Sequence, residues 1–132
     1  DGNAIMSKRY DVYAKNCPTR MILDRVGDKW TLLILNILVE RPMRFNQLKR
    51  DVEGISQKVL SQTLKNLVRD GFVERTVFPT IPVTVEYAST VMGKTLAKPI
   101  AELTYWAEQN MDNVLLSQKK FDASANNAVE PL

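Results

Sequence analysis

The 132-residue sequence contains no histidine and a single cysteine, Cys17. A structural zinc site takes about four Cys or His ligands, and Ser–His or Cys–His nucleophile systems need an imidazole, so both are excluded. One cysteine forbids an internal disulfide, which fits a reducing compartment. Long apolar runs are also lacking. The longest, Trp30 to Val39, is about ten residues and contains Asn36, whereas spanning a bilayer takes roughly twenty, and it lies too far along the chain for a secretory signal. There is no glycine-rich phosphate loop, no repeat and no low-complexity tract, and periodicity brings no carboxylates together as a pair. These absences argue against an enzyme, against a bound metal or cofactor and against a membrane protein. They fit a cytoplasmic location.

What is present is a single-domain composition, 45% apolar and 25% charged, enough to bury a real core at this length. The net charge of +3 is unevenly placed. Residues 41–78 carry eight basic and four acidic side chains, and residues 99–132 carry two basic and five acidic. A basic centre points to a polyanionic partner.

Along the chain, residues 1–16 are polar and without periodicity, which predicts an arm or a short leading turn. Pro18 opens a short helix with Met21, Ile22, Leu23 and Val26 on one side, ending at Gly27 in a glycine cap. Asp28 is placed to cap a second helix, whose wide apolar stripe (Trp30, Leu32, Ile34, Leu35, Leu38, Val39) marks it as central and mostly buried. Pro42 stops it. An extended piece, Met43-Arg44-Phe45, leads to Asn46, read as the N-cap of a short helix with Leu48 and Val52. After a tight turn at Glu53-Gly54-Ile55, Ser56 caps the helix QKVLSQTLKNLVRD, which Gly71 closes in a left-handed conformation. The runs FVERTVFP and VTVEYAS around Thr80-Ile81-Pro82 predict a β-hairpin. Thr90 caps a last helical region expected to reach about Leu116, kinked or divided by Pro99, with a frayed tail from Ser117.

A short helix, a turn and a longer capped helix make a helix-turn-helix, and the hairpin after it makes a wing. The expected fold is mainly α with a small β-hairpin, a winged helix-turn-helix over residues 17–116. On the Ser56–Asp70 helix, Leu60, Leu64, Leu67 and Val68 fall in one sector at about 100° per residue. Lys58, Ser61, Gln62, Lys65 and Arg69 fill the sector across from it, with no carboxylate among them. A merely solvated face interleaves acids with bases. These donors suit DNA instead: Arg and Lys toward guanine, Gln toward adenine, Ser toward either. Near the helix N-terminus, Gln57, Lys58, Ser61 and Gln62 are the candidates for base contact. Lys49, Arg50, Ser56, Lys65, Arg69 and Arg75, with Thr80 and Ile81 at the wing tip, are candidates for phosphate or wing contacts.

The segment GISQKVLSQTLKNLVRDGFVERTVFPTIPVTVEY, together with Cys17-Pro18, Val26-Gly27-Asp28-Lys29-Trp30 and Arg44-Phe45, resembles the HxlR-type winged-helix regulators, relatives of the MarR family. Two local departures stand out: Asp28 where a second glycine is usual, and Val91-Met92 where Pro-Leu precedes Gly93. The resemblance implies a homodimeric bacterial DNA-binding regulator, more often a repressor, with dimer contacts from the first and last helices. The sequence agrees in one respect. Leu96, Ile100, Leu103, Trp106 and Val114 stripe the last helical region with few later elements to cover them, so a partner subunit is the natural cover.

Cys17 is read as the N-cap of the first helix, beside Lys15 and Arg20. Helix N-termini and nearby cations favour the reactive thiolate form of a cysteine, and the resemblance includes sensors with a cysteine at this place, so Cys17 is the candidate redox sensor. Two other readings stand beside this one. The winged helix can serve as a protein-interaction module, or the regulator can answer a small ligand in a pocket lined by Trp30, Phe45, Tyr105 or Trp106, aromatics that otherwise simply belong to the core.

Overall fold

The computed structural model describes residues 10–127. The first nine residues of the expected arm and the last five of the expected tail lie outside them. The chain forms two compact units, Asp1–Ile100 and Ala101–Leu132.

In the first unit, α1 (Thr19–Val26) and α2 (Lys29–Leu38) are followed by β1 (Met43–Arg44), α3 (Phe45–Asp51), α4 (Gln57–Arg69), β2 (Val73–Phe78) and β3 (Thr84–Ser89). The long helix α5 (Val91–Asn127) begins in this unit and supplies the described part of the second. Asp28 caps α2 by accepting from the Trp30 amide at 2.9 Å. The residue that departs from the glycine usual in the family pattern therefore satisfies one of the orphan amides of a helix start. Gly27 closes α1 with ordinary right-handed backbone, φ −73°, rather than the expected glycine cap. α2 is central, with Thr31, Ile34, Leu35 and Leu38 buried and packing against α1, α4 and β3.

The start of the next helix differs from expectation. The N-cap of α3 is Arg44, not Asn46. The Gln47 side chain reaches back to accept from the Arg44 amide at 2.9 Å, so the helix starts two residues earlier. The expected extended piece pairs as well. β1 aligns antiparallel with β3, Met43 opposite Tyr87 and Arg44 opposite Glu86, and makes the hairpin a three-stranded sheet of order β1-β3-β2.

The core gathers Leu60, Leu64 and Leu67 of α4 against Ile34, Leu35 and Leu38 of α2, Met43, Leu48, Val52, Ile55, Phe72, Val73 and Ile100. Each fully buried Leu contributes about 1.5–3 kcal/mol, which fixes the apolar side of α4 inward. At its C-terminus Gly71 takes φ +85°, and the Gly71 and Phe72 amides return to the Val68 and Leu67 carbonyls. Thr90 joins three elements there. Its hydroxyl donates to the Gly71 carbonyl at 2.6 Å and accepts from the Gly93 amide at 3.0 Å, while its own amide donates to the Phe72 carbonyl.

α5 runs unbroken through Pro99 to Asn127, well past Leu116. Pro99, which has no amide to offer the Thr95 carbonyl, and Thr95 itself are both exposed. Residues 117–125, SQKKFDASA, hold no glycine or proline and several good helix formers, which is why the frayed tail expected from Ser117 is helical as far as Asn127. Ile100 is 1% exposed and belongs to the first unit's core, and half-buried Leu96 packs against that core. Ile100 is therefore not free to face a partner. Leu103, Trp106 and Val114 are exposed.

Candidate nucleic-acid interface

α4 is set by its cap and its leucines. Ser56 stands at the N-cap with extended backbone, and its hydroxyl oxygen accepts from the Val59 amide at 3.1 Å. With Leu60, Leu64 and Leu67 buried, the 100° step turns Gln57, Lys58, Ser61, Gln62, Lys65 and Arg69 outward, and all six are exposed. Thr63, buried on the inner side, satisfies its hydroxyl on the Val59 carbonyl at 2.7 Å. Gln62 donates from its side-chain amide to the Asn66 side chain at 3.1 Å.

The lower end of α4 is pinned. Arg25 of α1 meets the C-cap residue Asp70 in an ion pair at 2.5 Å, with the side chains 23% and 10% exposed. The hydrogen bond to Asp70 is the main cause of a raised Arg25 pKa, opposed by desolvation and helped by the charges of Asp70 and Asp24. Nothing in the local sequence marks this pair, whose members lie 45 residues apart.

Of the wing residues, Arg75 of β2 comes to α4. With Ser61, Leu64, Lys65, Val68 and Tyr87 it lines a groove of about 340 Å³ between helix and sheet. Three expected contact residues from two elements thus share one concavity, and Tyr87, which sequence reasoning did not single out, joins them. Lys49 and Arg50 are exposed in the last turn of α3. Arg50 lines a second groove, of about 470 Å³, with Arg44, Phe45, Asn46, Gln47 and Pro82 to Val85. Arg44 was also missed, since only the β1–β3 register brings it beside the wing. Thr80 and Ile81 stand exposed at the wing tip.

Cys17 lies elsewhere. Pro18 occupies the N-cap position of α1, with right-handed helical backbone, and Cys17 is one residue outside it, because the chain is already turning there: the Cys17 carbonyl accepts from the Arg20 amide. The half-buried thiol is 2.8 Å from the Thr19 hydroxyl and lines a depression with Tyr10, Asp11, Ala14, Lys15, Asn16 and Pro18. The Arg20 guanidinium donates to the Val12 and Tyr13 carbonyls. Trp30 and Phe45 pack against the core of the first unit, and Tyr105 and Trp106 are exposed in the second. Among the described residues no helix is long and apolar enough to cross a membrane, and no three His, Cys, Asp or Glu side chains are placed to hold a metal ion.

A short helix, a glycine turn, a capped helix with an outward cationic face and a wing beside it are the parts of a winged helix-turn-helix. Residues 25–114 match the HxlR-like helix-turn-helix family. The chain belongs to that family. It is 39% identical over 108 residues to the helix-turn-helix-type transcriptional regulator YtfH of Escherichia coli K12, covering 82% of this chain and 86% of that one. The solved structure of a ytfH regulator from Salmonella typhimurium superposes with a TM-score of 0.78 at 36% identity, over 83% of this chain and 98% of that one. The redox regulator HypR is similar in its reduced form, with a TM-score of 0.69 and 35% identity over 76% of this chain and 98% of that one. This HxlR-like protein is a transcriptional regulator of helix-turn-helix type, and such regulators are not enzymes.

Proposed function

We propose that the protein binds double-stranded operator DNA as a homodimer and represses transcription, with α4 as the recognition helix in the major groove. The observation that carries this reading is the outward face of α4, on which Lys58, Ser61, Gln62, Lys65 and Arg69 are all exposed with no carboxylate interleaved. Gln57, Lys58, Ser61 and Gln62, in the first turns, make the base contacts. Ser56, Lys49, Arg50, Lys65, Arg69 and Arg75 hold phosphates, which position without specifying. Dimerisation is supported by the apolar side chains of α5 left exposed, Leu103, Trp106 and Val114 among them. Two such subunits would read a palindrome with half-sites about one helical turn, ~34 Å, apart.

The test is a footprint on the DNA upstream of the gene. Lys58→Ala with Gln62→Ala is expected to abolish protection of the operator while leaving nonspecific binding nearly intact, since phosphate contacts supply most of the latter. Normal protection by the double variant would refute the recognition-helix assignment.

A second element, control by oxidation at Cys17, is favoured by the likeness to HypR, a redox regulator solved in reduced and oxidised forms. With one cysteine per subunit, the available products are a sulfenic acid, a mixed disulfide with a small thiol, or a bridge between the two Cys17 residues of a dimer.

A further inference from the structure

The three-stranded sheet has an unfinished edge. β1 holds only Met43 and Arg44, opposite Tyr87 and Glu86 of β3, and the chain then turns away into α3. Thr84 and Val85, the first two residues of β3, pair with Phe78 and Val77 on the β2 side. On the β1 side no strand lies beside them among the described residues. An open strand edge presents N–H donors and C=O acceptors to whatever comes along it. Here that edge forms one wall of the groove of about 470 Å³, and the first turn of α3 forms the other. On the α3 wall Phe45 is half-buried, and Asn46 and Gln47 are exposed.

The lining says what would fill the groove. Phe45, Pro82, Val83 and Val85 give it an apolar side, and Arg44 and Arg50 are its only charged residues. Neither guanidinium has a carboxylate partner, the Arg25–Asp70 pair being the ion pair found among the described residues. Glu86 stands opposite Arg44 in the β1–β3 register but does not line the groove. An occupant must therefore satisfy two cations and a free backbone edge together. A DNA backbone answers the cations, but its phosphates only accept hydrogen bonds and leave the edge carbonyls without donors. An extended peptide answers both. Its amides and carbonyls continue the ladder, its alternate side chains enter the groove, and its carboxylates meet the arginines in charge-assisted bonds. The stretch from Pro82 to Val85 offers it about 13 Å of edge at roughly 3.3 Å per residue.

We propose that this groove docks an extended acidic segment of a partner protein, which adds to β3 as a short strand in line with β1 and sets its carboxylates on Arg44 and Arg50. Arg50 is also a phosphate contact in the DNA-binding reading above, so a seated segment takes one such contact away from DNA. The docking itself rests on no part of that reading, and it is tested without DNA.

The experiment titrates the full, isotope-labelled chain with the peptide acetyl-Glu-Val-Thr-Val-Glu-amide and follows the backbone amides by NMR. Two altered probes separate the two attractions. One carries glutamines in place of the glutamates; the other has its backbone amides N-methylated, which keeps the charge and removes the ladder donors. The amides of Thr84 and Val85 are expected to shift saturably with the parent peptide, and each altered probe to bind about tenfold or more weaker. Arg44→Ala and Arg50→Ala should each weaken the parent peptide by about tenfold. The absence of a saturable shift at Thr84 and Val85, or shifts centred on α4 instead, overturns the proposal. Equal binding of the N-methylated probe overturns it too, because charge alone then accounts for the contact, and equal binding of the glutamine probe shows the arginines idle and overturns it likewise. If a random-sequence duplex moves the same two amides and the peptide does not, the groove faces DNA and the proposal falls. Should Arg44→Ala fail to fold, the two altered probes decide the matter on the unaltered protein.

Discussion

Gly93→Ala sets two effects of opposite sign against each other at the root of α5. Alanine has the higher helix propensity by about 1 kcal/mol, so on propensity alone the exchange in a helix would stabilise. Packing decides otherwise. A Cβ on Gly93 would stand 2.0 Å from the Phe72 carbonyl oxygen, 3.0 Å from its carbon and 2.8 Å from the Ser89 hydroxyl. Relieving the first contact requires the helix and the Phe72 backbone to part by about 1 Å or more, and overpacking against atoms that cannot rotate away costs about 1–3 kcal/mol or more. The same carbonyl accepts from the Thr90 amide at 3.1 Å, so its displacement also strains a hydrogen bond of about 1 kcal/mol. The net expectation is a loss of roughly 2–3 kcal/mol from a total near 5–15, or about 10 °C in Tm for a unit of this size. Urea unfolding followed by far-UV circular dichroism gives the number. Adding Ser89→Ala should recover little, because the closer obstacle is backbone. A midpoint for Gly93→Ala equal to or above the wild type would refute the reasoning.

Two further outcomes are expected. A double-mutant cycle on Arg25→Ala and Asp70→Ala should give a coupling of about 1–2 kcal/mol in urea unfolding, above the usual ~0.2–1 of an exposed pair, since both side chains are largely buried. Additive single effects would remove the pair as a brace for α4. Treatment with hydrogen peroxide should shift operator affinity of the wild type by tenfold or more and leave Cys17→Ala unmoved; an equal response in the variant would remove Cys17 as the sensor.

The parts of the interface that are local in sequence were legible in it. Ser56, the leucine spacing and Gly71 define α4 by cap, period and stop, and the face opposite the leucines follows from geometry alone. The Asp28 and Thr90 caps were equally readable. What escaped is long-range or depends on competition between weak local signals. β1 is two residues long and exists only because β3 pairs with it, so neither Arg44 beside the wing nor its role as N-cap over the better-suited Asn46 could be read locally. Arg25 and Asp70 meet through the packing of α1 against the end of α4. Ile100 shares helical spacing with Leu103 and Trp106, and periodicity alone cannot tell that the first packs into the core while the others stay outside. Pro99 reads as a helix breaker, yet the helix continues through it at an exposed position.

The arrangement around Thr90 makes α4 and the long helix α5 parts of one linkage. A single hydroxyl is bonded at once to the carbonyl that ends α4 and to an amide in the first turn of α5. A twist applied to the root of α5 therefore has no slack to be absorbed in. It reaches the trailing end of α4 through that hydroxyl and through the Thr90 amide on the Phe72 carbonyl, with Arg25–Asp70 as the second bearing at the same end of the helix.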